Sequence, residues 1–310
     1  MTTQASPRRG HGETAAATVL GFCAILLWAA LAALTTVAGP IPPFQMSAMT
    51  FAVGTLAGVM WTWLRGQSLR EMRQAPLSAW LLGVYGLLGF HVCYFLALQK
   101  APAIEASLII YLWPLLIVLC SSLLPVALGG RRLNALHIAG ALCGLAGTVL
   151  ILTSRGGGVN FGGMSDGYLF AGLAAVIWAS YSVGLRLFSA VPGAIVVGSC
   201  GLTAIGAAVI HSAVETTYVP GSTSAWLAVL ALGIGPVGIA FNLWDEGMKR
   251  GNLRLLGVAS YATPLLSTLL LSGLGLARAT AAIWIAAGLV TTGAVLASRG
   301  ERSSKTSIDQ

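Results

Sequence analysis

Tyr111-Leu-Trp-Pro114-Leu-Leu116 lies in the middle of a long apolar run with no charge nearby. A proline there removes one backbone donor and strands the carbonyl one turn back, at Ile110, so a helix through it bends. In lipid an unpaired carbonyl is costly, and such a break persists where protein or a polar cavity faces it. The phrase returns as Tyr261-Ala-Thr-Pro264-Leu-Leu266, 150 residues later at both the tyrosine and the proline. Trp28 and Trp178 share that offset, and so do Tyr94 and Trp244. One offset kept across four helices predicts a duplicated chain, with halves 1–156 and 157–310 that each carry a broken helix.

Composition sets the class. Hydrophobic residues make up 56% of the chain and charged residues 8%, against roughly 25% charged in soluble domains, and the mean hydropathy is +0.84. These values exclude a soluble fold. The 39 glycines fit close helix packing in lipid. The net charge of +8 comes from bases in short clusters between apolar runs, with no basic stripe interleaved with aromatics, so no nucleic-acid partner is expected. Cys23, Cys93, Cys120, Cys143 and Cys200 stand singly in apolar runs without a CxxC, which gives neither a metal site nor a disulfide framework.

After a polar tail bearing Arg8 and Arg9, the run from about Ala16 to Val37 is long enough to span a bilayer. It reads as a first span rather than a cleaved signal peptide, because Trp28 has its counterpart Trp178. Nine further runs start near Phe44, Leu77, Ala103, Asn134, Gly167, Ala194, Ala225, Arg254 and Thr280. The glycine-rich connection Arg155 to Asp166 lacks a GKS or GKT and reads as a linker, not a phosphate cradle. Ten spans put both termini on one side. Fourteen Lys and Arg fall on that side and three, Lys100, Arg155 and Arg278, on the other, which predicts cytoplasmic termini. Five spans per half make the halves inverted copies, a framework used for alternating access around a midplane site. The fold class is therefore all-α integral membrane, with ten transmembrane helices in two inverted five-helix repeats around a central cavity.

The run Pro102-Ala-Ile-Glu-Ala-Ser-Leu-Ile-Ile-Tyr-Leu-Trp-Pro-Leu-Leu116, its echo at Tyr261 to Leu266 and the Trp28/Trp178 pair resemble the drug/metabolite transporter superfamily. Within it they resemble the ten-helix EamA-type exporters, and most closely the aromatic amino acid exporters of the YddG type. The resemblance covers nearly the whole chain. It implies a bacterial inner-membrane protein whose cavity is lined by spans one, three, four, six, eight and nine, with five and ten to one side. A small metabolite would move outward. No charged residue is found at midplane.

Trp61, Trp63, Trp80, Trp226 and Trp284 lie near span ends, where an aromatic belt is the default. Trp28, Trp113 and Trp178 fall near span centres, where either the cavity or plain packing accounts for them. Trp178, Tyr181 and Ser182 share a helix face. Tyr111 and Trp113 point to different sides unless the break opens. On the third span His91, Tyr94 and Phe95 share a face; His91 is a hydrogen-bonded structural residue, a polar anchor for substrate or a proton-sensitive group. Tyr94 and Trp244, near opposite membrane faces, are candidate gates, with belt residues as the plain alternative. Asn242 lies deeper on the eighth span than Asp245 and Glu246, which pair by spacing with Lys249 and Arg250 and read as a structural salt-bridged helix end rather than a proton carrier. Glu105 suits the positive start of its helix. Gly140-xxx-Gly144 and Gly293-xxx-Ala297 are packing faces that join either the halves or two protomers.

The expected function is a secondary exporter of small amphipathic metabolites, foremost aromatic and other neutral amino acids. The solute sits between aromatic faces, its charged ends met by hydroxyls, Asn242 and carbonyls freed at the hinges Pro114 and Pro264. Trp28, His91, Tyr94, Tyr111, Trp113, Trp178, Tyr181, Asn242 and Tyr261 are the candidate binding residues. Alternative cargoes are a sugar derivative, nucleoside, lipid precursor or organic cation. A membrane-embedded enzyme is disfavoured because His91, His137 and His211 fall on separate helices without a carboxylate pair. No cofactor or metal is expected, the partners are a small molecule and the lipid bilayer, and the oligomeric state is open.

Overall fold

The computed structural model describes residues 11–64, 66, 68–128, 130, 133–154, 166–275 and 280–306. The glycine-rich linker and most of the two polar tails lie outside them. Ten helices among the described residues are long and apolar enough to cross a membrane. They are span one, Gly12–Ala38; two, Pro43–Leu64; three, Leu77–Lys100; four, Ala103–Leu123; and five, Ala135–Ser154. Span six is Asp166–Phe188; seven, Ala194–Val214; eight, Thr223–Arg250; nine, Leu253–Gly273; and ten, Ala281–Gly300.

Spans four and nine break where the repeated phrase predicts. The first half of span four, Ala103–Ile110, ends in a turn at 111–112 before Trp113–Cys120. Span nine stops at Ala259 and resumes at Ala262. Both breaks tighten into three-residue turns, Leu112 N–H to Ile109 O at 3.1 Å and Tyr261 N–H to Val258 O at 3.2 Å. Each proline then sits in the first turn of the new helix, where its missing N–H costs nothing. The carbonyl expected to be freed by Pro264 belongs to Ser260, and it accepts the Thr263 N–H at 3.1 Å. The second break is therefore satisfied from within the chain and offers no stranded acceptor.

Spans three and eight each contain a π-helical turn, Tyr85–Gly89 and Gly233–Ile239. Such turns concentrate at functional sites. Both are followed by regular helix at the 150-residue offset, Phe90–Lys100 and Ala240–Arg250.

The halves interlace. Span one packs along eight, three along six, two along seven and five along ten. Spans five and ten meet at the small-residue stripes, and within the one chain: a Cβ on Gly140 would stand 2.6 Å from the Gly293 carbonyl oxygen, and one on Gly293 would stand 2.6 Å from that of Gly140. The stripes thus join the halves, not two protomers. At the end remote from the termini, Glu215 ties span seven to span two. Its carboxylate accepts the N–H groups of Phe44 and Gln45, each at 3.0 Å, and contacts His211 Nδ1 at 2.9 Å. Glu215→Ala should lower stability in detergent by about 1–2 kcal/mol, as loss of a helix N-cap does; thermal unfolding reads this, and an unchanged transition would reject the clamp.

Candidate functional site

A cavity of about 800 Å³ occupies the centre of the molecule, within the ~300–1,000 Å³ typical of small-molecule sites. Its walls come from the parts of spans one, two, three, four, eight and nine remote from the termini, with Trp178 from span six and Leu152 from span five. Span two, not expected in the wall, contributes Met46, Ser47, Thr50 and Phe51. The half nearer the termini is closed.

Three tryptophans, Trp28, Trp113 and Trp178, make the floor, and Trp244 packs beneath them. Trp28 and Trp178 meet edge to face, with centroids 5.7 Å apart. Trp244 lies 5.1 Å from Trp28 and 6.0 Å from Trp113, and Trp113 meets Trp178 at 6.2 Å. Edge and tilted geometries suit ring quadrupoles. The floor is also hydrogen-bonded: Trp28 Nε1–H donates to Pro236 O at 2.9 Å, inside the π turn of span eight, and Trp244 Nε1–H donates to Ser182 Oγ at 3.1 Å.

Above the floor one wall is aromatic. Phe51 stacks on Phe241 at 5.6 Å, and His91 stands edge-on to Phe51 at 5.0 Å. Phe90 packs on Trp178 at 5.0 Å. His91 Nδ1 lies 2.7 Å from Leu87 O in the other π turn; a carbonyl only accepts, so Nδ1 carries the proton and Nε2 of the neutral ring is an acceptor. His91 is thus both hydrogen-bonded to its own helix and part of the cavity wall. The two broken helices supply hydroxyls instead, from Ser107, Tyr111 and Ser267, with Thr263 bordering the hollow beside them. The Thr263 hydroxyl is buried and without a partner. No Asp, Glu, Lys or Arg lines the cavity among the described residues.

Of the sequence-predicted residues, Trp28, His91, Tyr94, Tyr111, Trp113, Trp178 and Pro264 border this one hollow. Tyr181, Asn242 and Tyr261 do not. Tyr181 is buried against Gly86, and Tyr261 is buried against Gly144 in a cluster with spans five and ten. Asn242 spends its amide on Gly238 O of its own helix, 2.8 Å away. Pro114 is buried beside Gly257 of span nine. Of the two candidate gates, Tyr94 borders the hollow and Trp244 is fully buried in the closed half. Among the belt tryptophans Trp61, Trp63, Trp226 and Trp284 are exposed on the apolar surface, whereas Trp80 packs onto Gly198 of span seven. Phe51, Phe90, Phe241 and Thr263 escape a sequence reading, since a phenylalanine or threonine in an apolar helix carries no mark of the face it occupies.

The closed half holds a cluster of paired charges. Asp245 and Lys249 pair at 2.9 Å, both buried, and Lys249 Nζ also donates to Val191 O at 3.1 Å. Glu246 and Arg250 pair at 2.7 Å at the surface. Arg254 Nε–H donates to Ser121 Oγ at 2.9 Å, and Arg186 donates to Gly251 O at 2.7 Å. Glu105, at the opposite end of the molecule, is buried and accepts from Tyr168.

The EamA-like transporter family matches residues 15–153 and again 165–299. The chain is 51% identical over 282 residues to the aromatic amino acid exporter YddG of Ancylobacter novellus, covering 91% of this chain and 96% of that protein. The proteins of the same name from Salmonella typhimurium and Escherichia coli are 28% and 27% identical, each over 90% of this chain and 96% of the relative. A crystal structure 50% identical in sequence superposes with a TM-score of 0.86, over 91% of this chain and 96% of that one.

Proposed function

The chain belongs to the EamA-like transporter family, and from that premise we propose that it exports aromatic and other neutral amino acids by alternating access. The observation that carries this reading is the central hollow. It is free of charged side chains, aromatic on one wall and hydroxyl-bearing on the broken helices, which suits a flat solute with a polar end. The relatives' printed names point to the same class.

With both termini in the cytoplasm of a bacterial cell, as the distribution of Lys and Arg predicts, the hollow faces outward and the tryptophan floor seals the cytoplasmic side. The aromatic ring of a substrate lies against Phe51, His91 and Phe241. Its α-carboxylate and ammonium face the hydroxyls of Ser107, Tyr111 and Ser267 on the broken helices. The repeats divide the chain into 1–156 and 157–310. Two sets of repeat mates touch, Trp28 with Trp178 and His91 with Phe241 at 6.5 Å, as residues beside a two-fold axis do. Because the main packing is across the halves, the rocking bodies are mixed: spans one, eight and nine against three, four and six. The breaks ahead of Pro114 and Pro264 flex between them, and Tyr94 and Trp244 close the two mouths.

Protein reconstituted in liposomes should carry labelled phenylalanine and tryptophan down their gradients, with unlabelled aromatic amino acids competing. Absence of flux for every amino acid tried, with competition instead by a nucleoside, a sugar derivative or an organic cation, would replace the substrate class.

A further inference from the structure

In an inverted pair of repeats, whatever one copy does at one mouth the other does at the opposite mouth once the conformation is exchanged. The 150-residue offset therefore reads the second state from the first. In the present state span three lines the open hollow with Tyr94, Phe95, Leu98 and Gln99. Their mates on span eight are Trp244, Asp245, Met248 and Lys249, all buried in the closed half. Ile41, at the open mouth, has Val191 as its mate, and Val191 O is the carbonyl that Lys249 now holds. Leu31 and Tyr111 line the hollow; their mates are Tyr181 and Tyr261, two of the predicted site residues that stand outside it.

We infer that in the state open toward the termini Asp245 and Lys249 line the cavity and bind an amino acid zwitterion, Asp245 taking the α-ammonium and Lys249 the α-carboxylate. The inference rests on the exporter reading above and names how its cytoplasmic site recognises cargo. The mates of these two residues are Phe95 and Gln99, so the fold lines the opposite mouth without charge at the same positions. A buried ion pair is a poor source of stability compared with apolar packing of the same volume. This pair also leaves Asp245 Oδ1 buried and without a partner, a further cost. A zwitterion removes that cost. Its two charges replace those of the pair one for one, so the cavity stays neutral and every charge keeps a counter-charge. When the molecule turns outward the pair closes on itself, and the cargo faces a hollow whose lining carries no charged side chain. Binding is then tight on the side of the termini and weak on the other. Detailed balance then requires packing elsewhere in the molecule to favour the outward state of the empty protein against the cost of the closed pair.

The test compares the two faces of the full-length protein in membrane vesicles of opposite orientation, reading half-saturating phenylalanine from each side. Asp245→Asn and Lys249→Met should raise that concentration by about 10-fold or more at the face bearing the termini, as loss of a charge-assisted hydrogen bond does, and by less than about twofold at the other. Phenethylamine, which lacks the carboxylate, should respond to Asp245→Asn and not to Lys249→Met. Equal changes at both faces, or none, would overturn the inference. If the single variants fail to fold, Phe95→Asp combined with Gln99→Lys builds the same pair at the open mouth. It should lower half-saturation at that face by about 10-fold, and no change there would be equally fatal. Absence of amino acid flux in the unaltered protein would instead strike the exporter reading.

Discussion

Trp28→Ala is expected to abolish transport and to cost about 3–5 kcal/mol of stability, the range for removing a buried tryptophan. The ring holds three others at once, lying 5.7 Å from Trp178, 5.9 Å from Phe241 and 5.1 Å from Trp244. Its indole N–H is also bonded to Pro236 O, 2.9 Å away, in the π turn of span eight. Alanine would leave that buried carbonyl without the donor and open a void between the hollow and the closed half. Trp28→Phe separates the two effects: it keeps a ring in the cluster and removes the donor alone. This variant should lose about 1 kcal/mol, the net value of one hydrogen bond, and retain reduced flux. Thermal unfolding in detergent and phenylalanine flux in liposomes measure both. Wild-type flux through Trp28→Ala would show that the floor is packing and not part of the seal.

The two breaks were legible because proline has a single physical meaning in an apolar helix, and its repetition at a fixed offset multiplies the signal. The Trp28/Trp178 pair was legible for the same reason. The π turns were not. Pro236 interrupts span eight, but nothing at Tyr85–Gly89 distinguishes a π turn from helix that is merely rich in glycine, and the two turns are recognised as mates only once their hydrogen bonding is seen. Side-chain direction was the second loss. Tyr261 repeats Tyr111, and the offset cannot say that one faces the hollow while its mate is packed onto Gly144. Under the alternating access proposed above, that difference is the conformational state itself: a sequence with internal symmetry describes both states at once, and a structure in one of them must break the tie. Asn242 failed for a local reason, since its amide reaches the Gly238 carbonyl of its own π turn. The pairings of Asp245 with Lys249 and Glu246 with Arg250 followed from four-residue spacing, whereas the burial of the first pair and the exposure of the second depend on which side of span eight meets its neighbours.

Gly293→Leu should prevent assembly of the two halves, so that no monodisperse protein is recovered from membranes. Spans five and ten approach so closely that a Cβ at Gly293 would lie 2.6 Å from Gly140 O and 3.2 Å from Gly144 N, and one at Gly147 would lie 3.2 Å from Ala286 O. These neighbours are backbone, which cannot rotate aside as a flexible side chain would. The helices must therefore separate, and in lipid no hydrophobic drive compensates for lost van der Waals contact between them. Overpacking a core against movable side chains costs about 1–3 kcal/mol, and backbone neighbours take the effect beyond that range. The separation would reach the site, because Tyr261, beside the break in span nine, is seated on Gly144 of the same stripe. Gly288→Leu is the matched control: it lies on span ten five residues earlier, where a Cβ meets nothing within 4 Å, and it should be recovered with an unchanged unfolding temperature. Equal yield and stability for the two variants would mean that spans five and ten do not clamp the halves together. The contacts that hold the halves together would then have to be sought along spans two and seven.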